Sequence, residues 1–464
     1  MKYSGKRLRR QAGFALAVVL AFCRLLMAQA AESPAPATQP DVQMTLTKQA
    51  ADAKVLALDD ALLTALDNHP SLKAARERVA AQQAVLGQQV GAYYPTVSAT
   101  NQYRTTTQSG TTGISPTGFD FFNSQLTFNM TLYNFGKREG AVQAARETLS
   151  ATGYNYKAAV DAVVVGVKQT YYAYLQAKAI VKVNEDTVKD RQLLVNQTQG
   201  FFDVGTRARI DVVRAESNLY SAQADLIASQ NAAQVAWVTL KNAIGVRDLP
   251  ERPLVEDTTM TAIPYNLDEA REIAYKTRPE LKSFEAQRRA QDQNIATARR
   301  GHLPDLIFDA NYRKSHVSND TAKVGNRTIE LNTFPLRPSW QVQLSFNIPI
   351  FDGFRTTNRV EETLHTYYVI KAQEEQQRQQ VALDVEQSYL KLVELEQRIK
   401  ANEAAAKAAK ENLDLANGRY QVGVGNIIEV TDAEALYTSA QTTYVRALYD
   451  YKIADAQFQR AIGK

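Results

Sequence analysis

The sequence predicts a mostly helical protein with a membrane β component, built as two tandem repeats that each hold long helices and a β-hairpin. Three observations carry this. First, the chain is written twice: LDDALLTALDNHPSLK from Leu58 matches LDEAREIAYKTRPELK from Leu267 at an offset of 209, which also pairs Pro95 with Pro304 and Tyr103-Arg104 with Tyr312-Arg313. Beyond the next loop the offset becomes 218, pairing Phe128-Asn129 with Phe346-Asn347, Gln169 and Tyr171 with Gln387 and Tyr389, Gly205 with Gly423, and Ala243-Ile244-Gly245 with Ala461-Ile462-Gly463. The two halves differ by a nine-residue insertion between Arg313 and Phe346. Second, residues 117–248 and 350–464 contain no proline and are rich in Ala, Gln, Glu, Lys and Leu, a composition that favours long helices. Third, between the helical stretches the apolar period changes from that of a helix to two, the period of a strand.

The N-terminus comes first in the chain. Lys2, Lys6, Arg7, Arg9 and Arg10 precede the apolar run GFALAVVLAF, which is followed by Ala28-Gln29-Ala30. Basic, apolar, then small-x-small is the order of a secretory signal, too short to be a lasting membrane helix, and cleavage is expected after Ala30. Residues 1–30 therefore read as a signal peptide and 31–57, which contain AESPAPATQPD, as a Pro-rich lead-in. The signal takes six of the 54 Lys and Arg and none of the 49 acids, leaving 48 basic residues against 49 acidic ones. The basic balance thus belongs to the signal and argues for no nucleic-acid partner. The single cysteine, Cys23, lies in the signal within LAFC, where bulky Phe22 replaces the small residue that a lipoprotein box wants. The mature chain accordingly has neither disulfides nor a thiolate metal site. No later stretch has 18 uninterrupted apolar residues, so any membrane role falls to strands or an amphipathic surface.

The first repeat is placed at 58–246, a linker at 247–266 and the second repeat at 267–464. Pro70 and Pro279 stand near helix starts, and Pro95 and Pro304 end helical patterns. Helices are expected at about 71–93, 138–199 and 208–245, with counterparts in the second half. The lengths of the two shorter ones sum to nearly that of the long one, which lets them stack end to end beside it, and a rod of roughly 90 Å is expected. Val385, Leu392 and Ile399 recur at a coiled-coil spacing of seven.

Strands are expected at about 95–108 and 121–134 in the first repeat and about 304–314 and 341–351 in the second. In PTVSATNQYR, Val97, Ala99 and Tyr103 share one face, while Thr96, Ser98, Thr100, Gln102 and Arg104 share the other. LTFNMTLY alternates as Leu126, Phe128, Met130 and Leu132 against Thr127, Asn129 and Thr131, and VQLSFNIPIF continues the pattern with Leu344, Phe346, Ile348 and Ile350. Strands of about ten residues that alternate apolar and polar match an outer-membrane barrel, although a half-buried soluble sheet alternates in the same way. Four strands close no barrel, and an open edge in lipid leaves unpaired amides, so membrane strands here require an oligomer. Eight strands from a dimer or twelve from a trimer both close; room for cargo favours the trimer.

Two turns repeat the same signature: FDVGTRARIDV from Phe202 and YQVGVGNIIEV from Tyr420. Together with the strand exits LYNFGKREG and IFDGFRTTN and the doubled helix-strand-strand-helix-helix order, these turns make the mature chain resemble the TolC family of outer-membrane efflux and secretion channels. The resemblance implies a homotrimer in the outer-membrane lipid, with a 12-stranded β-barrel on a long α-helical barrel in the periplasm. It further implies docking to a periplasmic adaptor (membrane fusion) protein and an inner-membrane pump, making the chain the passive exit duct of a tripartite efflux pump for small molecules. Each Val-Gly turn is read as joining the long helix to the helix returning beside it, with glycine supplying the reversal. The resemblance makes these turns, Val204, Gly205, Thr206 and Arg207 with Val422, Gly423, Val424 and Gly425, the adaptor-docking tips.

Acids follow each turn: Asp211 in the first repeat, Glu429 and Asp432 in the second. Positions three apart share a helix face, so Glu429 and Asp432 form two stacked carboxylate rings in a trimer if that face points inward, an electrostatic constriction that attracts cations. Acids at an exposed helix N-terminus, where they meet the dipole, give the plain alternative. In the family, the second-repeat acids line the closed entrance, with Tyr420 and Asp211 in the surrounding contacts, so Asp211, Tyr420, Glu429 and Asp432 are the candidate periplasmic gate. One departure stands out: Gly425 occupies a position where relatives often have a basic residue, which puts a cation latch there in doubt.

The chain is not read as an enzyme. His69, His302, His316 and His365 are scattered outside any metal-ligand spacing, and neither a nucleophile elbow nor a phosphate loop is visible, so catalytic, metal and cofactor sites are expected to be absent. Two alternatives remain open on sequence: an outer-membrane duct for type I protein secretion, and a periplasmic coiled-coil scaffold without a pore.

Overall fold

A computed structural model describes residues 55–108, 117–257, 259–260, 264–319, 322–324, 327–329 and 334–464. The expected signal peptide with Cys23, and residues 31–54 of the lead-in, lie outside the described residues. The described elements run α1 (Leu58–Asn68), α2 (Pro70–Gly91), β1 (Thr96–Gln108), β2 (Thr117–Tyr133), α3 (Lys137–Asp203), α4 (Arg209–Ile244), α5 (Leu267–Thr277), α6 (Pro279–Arg299), β3 (Asp305–Asn319), β4 (Ala322–Val324), β5 (Arg327–Ile329), β6 (Phe334–Asn347), α7 (Arg355–Gln421) and α8 (Ile427–Ala461). The order in the second half repeats that in the first, with the β4–β5 hairpin inside the inserted segment.

Proline sets the joints between the short helices. Pro70 and Pro279 each occupy the first turn of their helix, and the preceding His69 and Arg278 are extended, at ψ 124° and 120°. A residue before proline is pushed out of the helical region, so α1 and α2, like α5 and α6, are two helices where a single one would otherwise run. Asn266 caps α5 reciprocally with Glu269, its side chain accepting from the Glu269 N–H at 2.8 Å. The long helices α3 and α7 have 67 residues each, about 100 Å of rise and somewhat more than the sequence reading allowed.

The four long strands form one antiparallel sheet in the order β1-β2-β3-β6. Its register lines up Val97, Phe128, Ala310 and Val342 in one row and Ala99, Leu126, Tyr312 and Trp340 in another. On the opposite face Thr96, Asn129, Asp309 and Gln343 line up, and Asn129 Nδ2 donates to Asp309 Oδ1 at 2.6 Å. Val97, Leu126, Tyr312, Trp340, Val342, Leu344 and Phe346 are all exposed, so among the described residues nothing covers the apolar face at these positions. The second-repeat strand differs from its expected span: β6 begins at Phe334 and stops at Asn347 instead of running to 351. Pro349 removes a ladder donor, and the chain then turns through Gly353 and Phe354, both at positive φ. Phe135 and Gly136, at the same offset, make the equivalent exit from β2. Neighbouring rings hold these exits, Tyr133 on Phe135 at 4.7 Å and Phe351 on Phe354 at 5.5 Å.

Among the described residues, three apolar clusters hold the helices. One joins α1, α3 and α4 through Ala61, Ala65, Tyr171, Tyr174, Trp237 and Leu240, and takes in Leu56 and Leu254, which form a parallel bridge between lead-in and linker. The Tyr171 hydroxyl donates to the Val255 carbonyl at 3.0 Å and so ties the linker to α3. The second cluster joins α5, α7 and α8 through Ala270, Val385, Leu392, Tyr451 and Phe458, using the sevenfold stripe seen in the sequence. The third, smaller cluster sits behind the α3–α4 and α7–α8 turns. Because Leu240 is fully buried in the first cluster, Leu240→Ala is expected to destabilise the protein by about 2–5 kcal/mol, read as a lowered thermal unfolding midpoint.

Candidate functional site

The two helix-reversing turns are built alike. Gly205 and Gly423 both adopt the left-handed region, at φ +77° and +84°. Their N–H groups donate to Phe202 O at 2.9 Å and Tyr420 O at 3.1 Å, closing the last turn of each long helix. Among the described residues, no atom beyond the chain neighbours lies within 4 Å of a Cβ built on either, so conformation and not crowding demands glycine there. Asn426 caps α8 by accepting from the Ile428 N–H at 3.1 Å. Around the turns Val204, Val422 and Val424 are 72%, 74% and 68% exposed, and Thr206 is exposed beside them. Each tip therefore presents apolar side chains to solvent.

Arg207 and Gly425 turn inward and join the tips. Arg207 is half-buried, and its Nη2 donates to the Gly425 carbonyl at 3.0 Å. Its guanidinium also lies 4.9 Å from the centroid of the Tyr420 ring, within cation–π range. Gly425 is buried, and a Cβ there would stand 2.8 Å from the Tyr420 nitrogen and 2.9 Å from the Arg419 carbonyl carbon. Glycine at this position is thus a close backbone approach. On sequence, Gly425 puts a cation latch at this position in doubt; the guanidinium that lies against it is that of Arg207, from the other hairpin.

Tyr420 is 1% exposed and packs in the third cluster with Leu194, Ala215, Leu413, Ala416, Ile427, Val430 and Ala433, which come from all four long-shaft helices. Phe201 meets it edge-on at 5.8 Å. Burial pushes the Tyr420 phenol above its ordinary value, the charge of Asp211 adds to the push, and Arg207 opposes it. Arg207, Asp211, Tyr420 and Gly425 therefore form one cluster. Glu429 and Asp432 lie apart from it, on the exposed face of α8 that their spacing predicts. Glu429 accepts from Arg419 Nε at 3.3 Å, a pair exposed on both sides and worth little in stability.

Sequence reasoning missed Arg419, and it missed a buried acid one turn beyond Val430. Glu434 on α8 faces Arg191 on α3 at 3.6 Å. The Ala-Glu pair repeats in both halves, as Ala215-Glu216 and Ala433-Glu434, but Glu216 is exposed and Glu434 buried. Only the repeat itself hinted at this position, because periodicity alone cannot tell which copy meets the other hairpin.

A shaft of long paired helices, a four-stranded sheet with an uncovered apolar face, and two-fold internal repetition together define a protomer of an outer-membrane channel. The chain belongs to the outer membrane efflux protein family, which it matches over residues 61–246 and 271–464. It is 25% identical over 405 residues to the outer membrane protein TolC of Vibrio cholerae, covering 86% of this chain and 89% of that one. It is 23% identical to the antibiotic efflux pump outer membrane protein ArpC of Pseudomonas putida, covering 96% and 93%. Among solved structures it is similar to CusC, at a TM-score of 0.75 and 19% identity over 88% of this chain and 92% of that one. The protein is accordingly an outer-membrane efflux channel chain.

Arg207→Ala removes a buried carbonyl partner and a cation–π contact together and is expected to weaken the link between the tips by about 1–3 kcal/mol. Hydrogen exchange at the Tyr420–Ile428 amides measures that loss as faster local opening. Gly425→Ala, which forces backbone apart, is expected to act in the same direction.

Proposed function

We propose that three copies of this chain close into a channel-tunnel, a 12-stranded barrel in the outer membrane continued by a helical barrel in the periplasm, which serves as the passive exit duct of a tripartite small-molecule efflux assembly. The observation that carries the reading is a mismatch in burial between repeat-related positions. Tyr172 and Val165 on α3 are buried, whereas their partners at offset 218, Leu390 and Leu383 on α7, are exposed. Val445 and Ile453 on α8 pack against the first cluster, whereas their partners Ile227 and Val235 on α4 are exposed. Within one chain α3 packs on α8; the same contact made by the repeat-related pair requires α7 of one copy to pack on α4 of the next. The outer edges of β1 and β6 ask for the same neighbour, since β2 and β3, their repeat equivalents, pair within the chain. Three copies leave an interior wide enough for cargo.

The tips then gather as six hairpins at the periplasmic mouth. Their exposed valines suit an apolar docking surface for a periplasmic adaptor, and Glu429 and Asp432 suit stacked carboxylate rings across the entrance, with Asp211 and Tyr420 in the supporting layer. The adaptor links the duct to an inner-membrane pump, which supplies the energy. A small-molecule cargo follows the naming of ArpC as part of an antibiotic efflux pump.

Single-channel recording in a planar bilayer tests the reading: discrete, small conductance steps are expected, and their absence from well-folded inserted oligomers counts against it. Glu429→Ala combined with Asp432→Ala is expected to leave the trimer intact and weaken block of the pore by divalent cations; unchanged block removes both residues from the gate. Ile227→Asp is expected to dissociate the oligomer on native mass measurement while the helical content of the chain is kept. Bulky substitution at Gly205 or Gly423 is expected to impair adaptor pairing more than membrane insertion, read by crosslinking to the adaptor against heat-modifiable mobility.

A further inference from the structure

One antiparallel seam joins the two hairpins of a protomer, with α3 running toward the tips and α8 away from them. Polar pairs mark its register. Gln176 Nε2 donates to Asp450 Oδ1 at 2.9 Å, the Thr187 and Thr438 hydroxyls lie 3.1 Å apart, and one turn nearer the tips Arg191 stands against Glu434. This last pair is poorly made. Arg191 Nη1 donates to the Asn218 carbonyl on α4 at 2.7 Å, while its Nε stays 3.6 Å from Glu434 Oε2. Among the described residues neither of those two atoms finds a hydrogen-bond partner. Glu434 is nonetheless only 4% exposed.

The surroundings give the carboxylate little help. The charged groups acting on it are Arg191 and Asp190, both on α3. At this level α4 contributes Ala215 and the Asn218 carbonyl already taken by Arg191, and α7 contributes the apolar Leu413 and Ala416. An ionised carboxylate enclosed in this way loses its water and gains one misaligned cation, whereas a protonated one loses far less. Burial accordingly pushes Glu434 up to about 7, against the pull of Arg191 and with a push from Asp190. The repeat-related positions are Ala409 and exposed Glu216, so the arrangement belongs to the seam inside a protomer and has no copy on the outward-facing helices.

We propose that Glu434 is a proton-dependent wedge in the α3–α8 seam: protonated, it lets the two hairpins of a protomer close on each other, and ionised, it loosens them and favours the open periplasmic end. The sign follows from linkage. A carboxyl that holds its proton more tightly in the closed seam than in water favours the closed state at low pH, and that preference is lost as pH rises through about 7. A simple salt-bridge latch has the opposite sign, because its ionised form would hold the seam shut. The consequence for conductance rests on the gate reading of the tips; the motion of the seam does not.

The test reads both. Because the only cysteine in the sequence is Cys23, Val204→Cys with Val422→Cys in a Cys23→Ser background puts spin labels solely on exposed residues of the two tips. Pulsed electron–electron distance measurement between pH 5 and 8 is expected to show longer, broader tip separations as pH rises, with a midpoint near 7. Glu434→Gln, an isosteric neutral side chain, is expected to hold the short distribution across the whole range. Arg191→Met, which removes the opposing pull, is expected to move the midpoint upward. A Glu434→Gln protein that opens at pH 5 overturns the wedge in favour of a latch. A Glu434→Gln protein that keeps the full pH response assigns the response to other groups, and a pH-independent distance in the parent protein overturns the proposal outright. Conductance recorded over the same range separates the two readings: distances that move without any change in conductance keep the wedge and remove the gate.

Discussion

A single chain of this fold cannot satisfy its own edges, and the rest of the structure depends on that. β1 and β6 each carry one unpaired row of backbone donors and acceptors, and in hydrocarbon each unpaired group costs several kcal/mol. The helices repeat the problem in another currency, since α4 and α7 expose apolar side chains whose repeat-related counterparts are packed. Internal duplication turns these liabilities into an instruction. In the proposed assembly, the contact that the first repeat makes with the second inside the chain is made again by the second repeat with the first repeat of another copy, at the same register. The strand edge and the helix stripes then call for one neighbour in one orientation, which is why a sheet of four strands and a bundle of shafts can belong to one closed assembly.

Duplication sets the frame, and departures from it mark where the two halves took different work. The positive-φ strand exits at Phe135-Gly136 and Gly353-Phe354 keep one geometry with the two residue types exchanged, because the turn needs the backbone shape and neighbouring rings hold whichever Phe occupies it. At the tips the halves diverge. Arg207 reaches the other hairpin, and its equivalent Gly425 is the carbonyl it reaches, packed too closely for any side chain. Arg191 and Glu434 are likewise opposed, where their equivalents are Ala409 and an exposed Glu216. A symmetric pair of hairpins would place cation against cation; divergence makes the two surfaces complementary.

Much of this was legible in the sequence where local rules decide. Offsets of 209 and 218, proline positions and period-two alternation were enough to place the long helices, the sheet and both glycine turns, because each follows from backbone sterics or from which face is apolar. The ends were less legible: β6 stops at Asn347 because Pro349 and two successive left-handed residues intervene, a combination that the apolar run through Ile350 conceals. The candidate site was legible only as a list of residues. Tyr420, Asp211 and Arg207 meet because two turns 218 residues apart pack on each other, and the burial of Glu434 depends on which helix lies across from α8. Gly425 shows the limit: the same letter reads as a lost cation or as a close approach, and only the distance to the Arg419 backbone decides.

Packing is also uneven along the helices. Two large clusters clamp the shaft away from them, and the first is tied to the linker by the Leu56–Leu254 bridge and the Tyr171 hydroxyl. Behind the tips the buried set is small and includes three alanines, and the polar side chains linking the hairpins nearest the end are one arginine, on a carbonyl and the Tyr420 ring, and one ill-paired carboxylate. Free energies of local opening follow the density of such contacts, so the hairpin ends are expected to open at a lower cost than the shaft or the sheet. In the proposed duct, a moving part at the tips lies where a partner's binding energy, a few kcal/mol, is enough to shift the balance. A rigid shaft with loosely latched tips fits that arrangement.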